Sequence, residues 1–344
     1  MDILYVNVIE QHANWGAEYF VNRGFNRLGH TTYCIDYRQH RYELTKHFLN
    51  APPVDLFLLQ RGDGFPLPLI RAVRTPRFLW ASELVSRARD QDRLLRSGLF
   101  NHVFFRTPAC IQTVIEKKWL APEQCSILLS GFDETVYKLQ PETPKEIDIL
   151  FVGTLTARRQ TILQALAPVY KITTASAFGT AAVDLMNRAK IVLNIHAEAF
   201  PDTETRVFEV LGCGAFLLTE QLSAENPFSQ QDLVEYRSSE DLVAKLGYYV
   251  AHADERQAIA AHGHQSALAG HTYTHRAQEI VEVMARYWPQ ANLPPKQAGY
   301  DKNLLRRYGL YEPIAKGGYE VVKAAYKVGR TVKRTLRSHQ TKAS

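Results

Sequence analysis

Cysteine is scarce in this chain of 344 residues: Cys34, Cys110, Cys125 and Cys213 form no Cys-x-x-Cys pair and no zinc-like spacing. A disulfide-stapled or zinc-ribbon architecture is therefore excluded, and reduced thiols in a cytosolic compartment are the simplest expectation. Long hydrophobic runs are missing too. Nothing approaches the roughly 20 apolar residues that cross a bilayer, and Asp2 stands where a secretion signal would carry positive charge. Neither Gly-x-Gly-x-x-Gly nor Gly-x-x-x-x-Gly-Lys-Ser/Thr occurs, which disfavours a dinucleotide dehydrogenase and a P-loop nucleoside triphosphatase. No clear Asp-x-Asp motif sits at a predicted strand end. The acidic turn RGDGF (61–65) offers one carboxylate, so no obligatory metal or other cofactor is expected.

Charge is present but uneven. Against 41 Lys and Arg stand 35 Asp and Glu, a formal +6. Residues 296–344 hold twelve basic and three acidic residues (+9), which leaves −3 on residues 1–295. Nucleic-acid binding needs a clustered positive face, so none is expected of the body. At 46% hydrophobic residues, the chain has enough apolar material for two packed cores.

Short apolar runs alternate with helical patterns: 3–9, 31–37, 55–60, 77–82, 102–106 and 125–130, then 147–153, 170–176, 189–196, 214–220 and 232–236. This alternation predicts βαβ units, hence α/β architecture with two tandem Rossmann-like, doubly wound domains facing across a cleft. The polar, proline-bearing stretch 139–146 divides them. The expected organisation is an acceptor-side domain over 1–140, a donor domain over 141–290 and a basic helical tail over 291–344. Helix ends are also legible: Gly29 as a C′ residue, Ser238 with Asp241 as a capping box, Asp254 as a further cap, and Thr272 opening a helix to about Trp288.

The chemistry concentrates in NIHAEAFPDTETRVFEVLGCGAFLLTE (194–220). Arg206 and Glu209, three apart, share a helical face, and Gly212-Cys213-Gly214 ends that helix before a buried strand. Arginine neutralises a diphosphate and a carboxylate accepts both hydroxyls of a ribose, but the same spacing also fits a surface ion pair of a few tenths of a kcal/mol. These residues, with "ILFVGTLTARRQTILQAL" (149–166), "LNIH" (193–196), "HTYTHRAQEIVEVM" (271–284) and "LLSGFDETVYK" (128–138), resemble the GT-B glycosyltransferases. The likeness is to the CgeB-like, spore-maturation-type branch of the group 1 families, and runs from Leu128 to about Met284.

The resemblance implies a transferase moving a sugar from a nucleoside diphosphate to a glycan, lipid-linked or protein acceptor, without a metal and, by analogy, with retention. It implies that Glu209 holds the ribose and Arg206 lies near the diphosphate. It places Gly153 in the turn after the first donor-domain strand, with Arg158 or Arg159 at the phosphates and a helix from about Thr156 aimed at the same anion. Many relatives carry a second glutamate eight positions earlier, where this chain has Pro201; Glu198, Asp202 and Glu204 are out of register. A nucleotide-sugar epimerase of the same fold and a non-catalytic nucleotide- or glycan-binding protein remain alternatives.

On the acceptor side, the ends of the first-domain strands bring forward His12 as a base or acceptor ligand, together with Gly16, Arg61 and Glu83. His196 ends a donor-domain strand and is a candidate for the donor site. His262, His264, His271 and His275 are dense, but without a carboxylate or cysteine partner they read as structural. In the tail, Val321, Ala325, Val328, Val332 and Leu336 fall within about 80° of a helical wheel, opposite Lys323, Lys327, Arg330, Arg334 and Arg337. That pattern over 313–337 predicts a helix suited to the anionic inner face of a membrane, so the expected location is cytoplasmic and peripheral.

Overall fold

The computed structural model describes residues 1–10, 15–86, 89–287 and 299–317. Its first half runs β1 (Asp2–Asn7), α1 (Ala17–Arg27), β2 (Thr31–Asp36), α2 (Leu44–Asn50), β3 (Leu56–Gln60), α3 (Leu67–Ala72), β4 (Arg77–Trp80), α4 (Arg89–Leu95), β5 (His102–Phe105), α5 (Pro108–Glu116) and β6 (Cys125–Ile127). The second runs β7 (Ile147–Val152), α6 (Ala157–Leu166), β8 (Ile172–Ala175), α7 (Gly179–Arg188), β9 (Ala189–Asn194), α8 (Thr205–Gly212), β10 (Leu217–Glu220) and β11 (Val234–Tyr236). Helices α9 (Ser239–Ala251), α10 (Ala253–Gly270), α11 (Tyr273–Tyr287) and α12 (Lys302–Gly309) follow.

Each half is one all-parallel sheet, ordered β2-β1-β3-β4-β5-β6 and β11-β10-β9-β7-β8. Helices cover both faces, which is why inner strands such as β3 and β5 are buried at every residue while edge strands β2 and β8 are not. Strand order reverses between β1 and β3 and again between β7 and β9. Crevices open at the carboxyl ends of those strands.

Local signals account for the helix ends. Gly29 (φ 78°) donates to Asn26 O while His30 N reaches Phe25 O, a Schellman closure of α1. Ser238 caps α9 by accepting from Asp241 N. Asp254 is not a cap; His252 is the N-cap of α10 and Asp254 lies in the first turn. Thr272 accepts from His275 N at the start of α11.

The two halves share a hydrophobic core in which Tyr5, Phe20 and Phe25 join Phe132, Phe208 and Tyr273. Helix α11 follows the second sheet in sequence yet packs against α1 of the first half. Gly24 permits this, since a Cβ there would lie 2.7 Å from Tyr273 O. Asp133, fully buried in the connecting segment, accepts from Arg27 and pairs with Arg23, both on α1.

The described start of the basic tail is not a detached appendage. Helix α12 packs on α2 and α3, Leu305 is buried among them, and the Glu312 carboxylate accepts from Thr45 N at 2.9 Å. The amphipathic pattern from Val321 to Arg337 lies outside the described residues, as does Trp288.

Candidate active site

Both crevices open into one cavity of about 890 Å³ between the halves. Gln60 and Arg61 reach it from the end of β3, Gly16 from the start of α1, Gly153 and Thr154 from the end of β7, and Asn194 from the end of β9. Three helices, α1, α7 and α8, turn their N-termini toward it through Gly16, Phe178 and Glu204, none of which supplies a side-chain cap. Their first-turn amides are therefore available to an anion, with the helix dipoles favouring it. Gly16 holds φ 105° and ψ −178°, a conformation essentially reserved for glycine. Helix α6 contributes less than expected, because Thr156 caps it by accepting from Arg159 N.

The Arg206–Glu209 pair lies in the cavity wall with side chains only 14% and 13% exposed, so it is not a solvated surface pair. Arg206 Nη1 is 2.8 Å from Glu209 Oε2 yet has no aligned hydrogen-bond acceptor among the described residues. Nη1 is thus held against the Glu209 carboxylate, while the residue as a whole forms part of the cavity wall, a position suited to an oxyanion. Burial raises the Glu209 pKa above the ordinary carboxylate value, against the lowering pull of Arg206 and a hydrogen bond from the Tyr137 hydroxyl.

That shift has a sign in stability. The folded protein holds this proton to higher pH than the unfolded chain, so the group stabilises fully below the unfolded pKa and loses its contribution as pH rises through the folded one. In Glu209→Gln this loss is absent. The Tm of the wild type is expected to fall relative to the variant from about pH 4 upward; a constant difference across that range in a thermal-shift titration would contradict the buried-carboxylate picture.

Other sequence candidates separate. Gly153, Arg159, Arg206, Glu209, Gly16, Arg61 and Glu83 line the cavity. Arg158 and His196 do not. Arg158 is spent on Glu220, with a further bond to His196 O at 2.9 Å, and His196 is buried with Nε2 on Gln221 O. Arg159 is a brace as well as a wall: Nε donates to Ile195 O, Nη1 to Thr154 O and Nη2 to Glu204, tying the β9–α8 loop to the β7–α6 loop. His12 lies outside the described residues.

Sequence reasoning missed Glu18, Arg106, Trp15, Trp80 and Phe178, which also line the cavity. Glu18 is buried and paired with Arg61. Arg106 was within reach, as the last residue of an expected strand. The four histidines are each bound within the protein: His262 to Asp232, His264 to Leu211 O, His271 to Arg276 and His275 to Thr272. Among the described residues no His, Cys, Asp and Glu group could hold a metal ion.

Residues 157–282 match the family described as Glycosyl transferase-like. Spore protein CgeB of Bacillus subtilis (strain 168) is 32% identical over 104 residues, which cover 27% of this chain and 32% of that protein, so the match spans about a third of the relative. In structure, the sucrose-phosphate synthase of Thermosynechococcus elongatus superposes with TM-score 0.60 at 9% identity over 83% of this chain and 99% of its own. Anabaena HepE, solved in complex with UDP and glucose, gives TM-score 0.60 at 14% identity over 83% of this chain and 100% of its own. Fold and cleft agree: the two facing parallel-sheet halves have the GT-B fold, and the sequence of the second half is similar to the Glycosyl transferase-like family and to CgeB.

Proposed function

We propose that the protein transfers a sugar from a nucleoside diphosphate donor to an acceptor entering from the first half. The observation that carries this reading is the cavity at two facing switch points, where Arg206 lies in the wall beside Glu209 and the uncapped N-terminus of α8. The departing diphosphate meets guanidinium and amide groups, which stabilise developing negative charge without a metal. Glu209 then accepts from the ribose hydroxyls. Retention of anomeric configuration is carried by the resemblance to the group 1 families.

UDP is the first probe, because HepE of the same fold is solved with UDP and glucose. Calorimetric titration with UDP and GDP, with and without EDTA, is expected to show saturable binding of one of them that chelation leaves unchanged. No binding of either overturns the reading.

The same proposal includes an anionic membrane as the protein's site of work. Leu310, Tyr311 and Ile314 are 73%, 65% and 71% exposed, next to exposed Arg306, Arg307 and Lys316 and ahead of the basic residues 318–344. Apolar contact combined with positive charge suits an anionic headgroup layer, while among the described residues no helix is long and apolar enough to cross a membrane. Replacing all three apolar residues with serine is expected to reduce co-sedimentation with phosphatidylglycerol vesicles severalfold; equal sedimentation would remove the membrane from the proposal.

A further inference from the structure

Four arginines line the cavity, each paired with a carboxylate. Three pairs form within one half: Arg61 with Glu18 in the first, Arg159 with Glu204 and Arg206 with Glu209 in the second. The fourth crosses the cleft. Arg106 follows β5 of the first sheet, Asp202 lies between β9 and α8 of the second, and Nη2 of Arg106 stands 2.6 and 2.5 Å from the two carboxylate oxygens.

Both side chains remain about a quarter exposed to the cavity, at 29% and 24%. Among the described residues, Arg106 Nε and Nη1 have no protein acceptor, so the guanidinium has donors to spare. The halves also touch elsewhere, with Trp15, another residue of the cavity wall, packed against Gly179 at the start of α7.

A diphosphate held by Arg206 and the α8 amides must project its transferred group toward the first half, since the acceptor approaches from there. The Arg106–Asp202 pair lines the same cavity and bridges the two halves, which puts it on the path of such a ring. A guanidinium donates to hydroxyl oxygens and a carboxylate accepts from hydroxyl hydrogens, so the two together suit neighbouring hydroxyls on one ring. The pair is neutral as a unit, and a negatively charged ring would set its own charge against Asp202.

We propose that Arg106 and Asp202 are the specificity residues that read the transferred sugar, a neutral, hydroxyl-bearing ring held against the ion pair, accepting from the guanidinium of one half and donating to the carboxylate of the other. The ring thereby links the halves across the cleft. This rests on the nucleotide-sugar reading above but concerns residues outside the nucleotide site.

The test is calorimetry on the full chain, wild type, Arg106→Gln and Asp202→Asn, with UDP and GDP against UDP-glucose, UDP-N-acetylglucosamine, UDP-glucuronate and GDP-mannose. Each variant is expected to bind the nucleoside diphosphate within about twofold of wild type while losing roughly 10- to 100-fold for the preferred neutral nucleotide sugar, the size of a lost charged hydrogen bond. Asp202→Asn is also expected to narrow the discrimination against UDP-glucuronate. Equal changes for nucleotide and nucleotide sugar would mean that the pair only latches the cleft, and no change in either would mean that the ring lies elsewhere; both outcomes overturn the assignment. Failure of the wild type to bind any nucleoside diphosphate is a different result, which removes the nucleotide-sugar reading itself.

Discussion

Arg206→Ala is expected to slow sugar transfer by about 10²- to 10³-fold, the usual loss when one pre-organised donor to a developing negative charge is removed. The reason lies in the wall of the cavity. Arg206 is mostly buried, lies in the cavity wall beside the uncapped N-terminus of α8, and would face a diphosphate bound there as proposed. Charge on the leaving diphosphate grows in the transition state, so turnover should fall more than UDP affinity does. A purely structural role predicts otherwise: loss of Arg206 leaves Glu209 buried without its cation, and that alone would lower stability. The double variant Arg206→Ala/Glu209→Gln removes the stranded carboxylate. It is expected to recover Tm and not turnover. Arg206→Lys keeps a charge without the planar fork and should fall between wild type and Ala. Unaltered turnover in Arg206→Ala, measured on whichever donor the binding screen selects, would remove Arg206 from the mechanism.

Gly263→Ala is expected to be among the most destabilising single-methyl substitutions in the chain, costing about 3 kcal/mol, the upper part of the range for overpacking. A Cβ at Gly263 on α10 would lie 2.2 Å from Asp232 O and 2.9 Å from Leu211 Cδ2. The backbone at Asp232 has no freedom to retreat. Its carboxylate accepts from His262 Nδ1 at 2.7 Å, Ser266 Oγ at 2.5 Å and Ser229 N at 2.7 Å, which fastens the 229–232 turn to α10 and to itself. Gly270 provides the control on the same helix, since a Cβ there meets nothing within 4 Å. Gly270→Ala should be neutral or gain up to about 1 kcal/mol from lower unfolded-state entropy. Chemical denaturation of the two variants measures the contrast; similar midpoints for both would mean that α10 can shift as a body. Because α10 packs against α8, which carries Arg206 and Glu209, the loss at Gly263 should also weaken nucleotide binding.

Much of this molecule is written locally. Burial on both faces of a parallel sheet demands runs such as LFLLQ and HVFF, and all eleven expected strands fall where those runs are. Glycines at 29 and 214 close α1 and α8 because only a residue without a Cβ takes up their positive φ without strain. The three-residue spacing of Arg206 and Glu209 alone puts them on one helical face. Whether that face met solvent or a ligand cavity was beyond its reach, because the two cases share the same three-residue period.

Long-range packing decided the rest. Arg158 and Arg159 are neighbours of identical chemistry, yet Glu220 takes one out of the cavity while three loop groups fix the other in its wall. Asp202 looked out of register with Glu209, but its partner, Arg106, is 96 residues away in the other sheet. The +6 of the whole chain says nothing of these pairings. Sequence by itself determined the strands, the helix ends and the donor-half motif, all of which depend on neighbours within a few positions. Only the tertiary structure decided which charges face one another across the cleft, since coulombic pairing depends on distance in space and two separately built sheets bring those residues together.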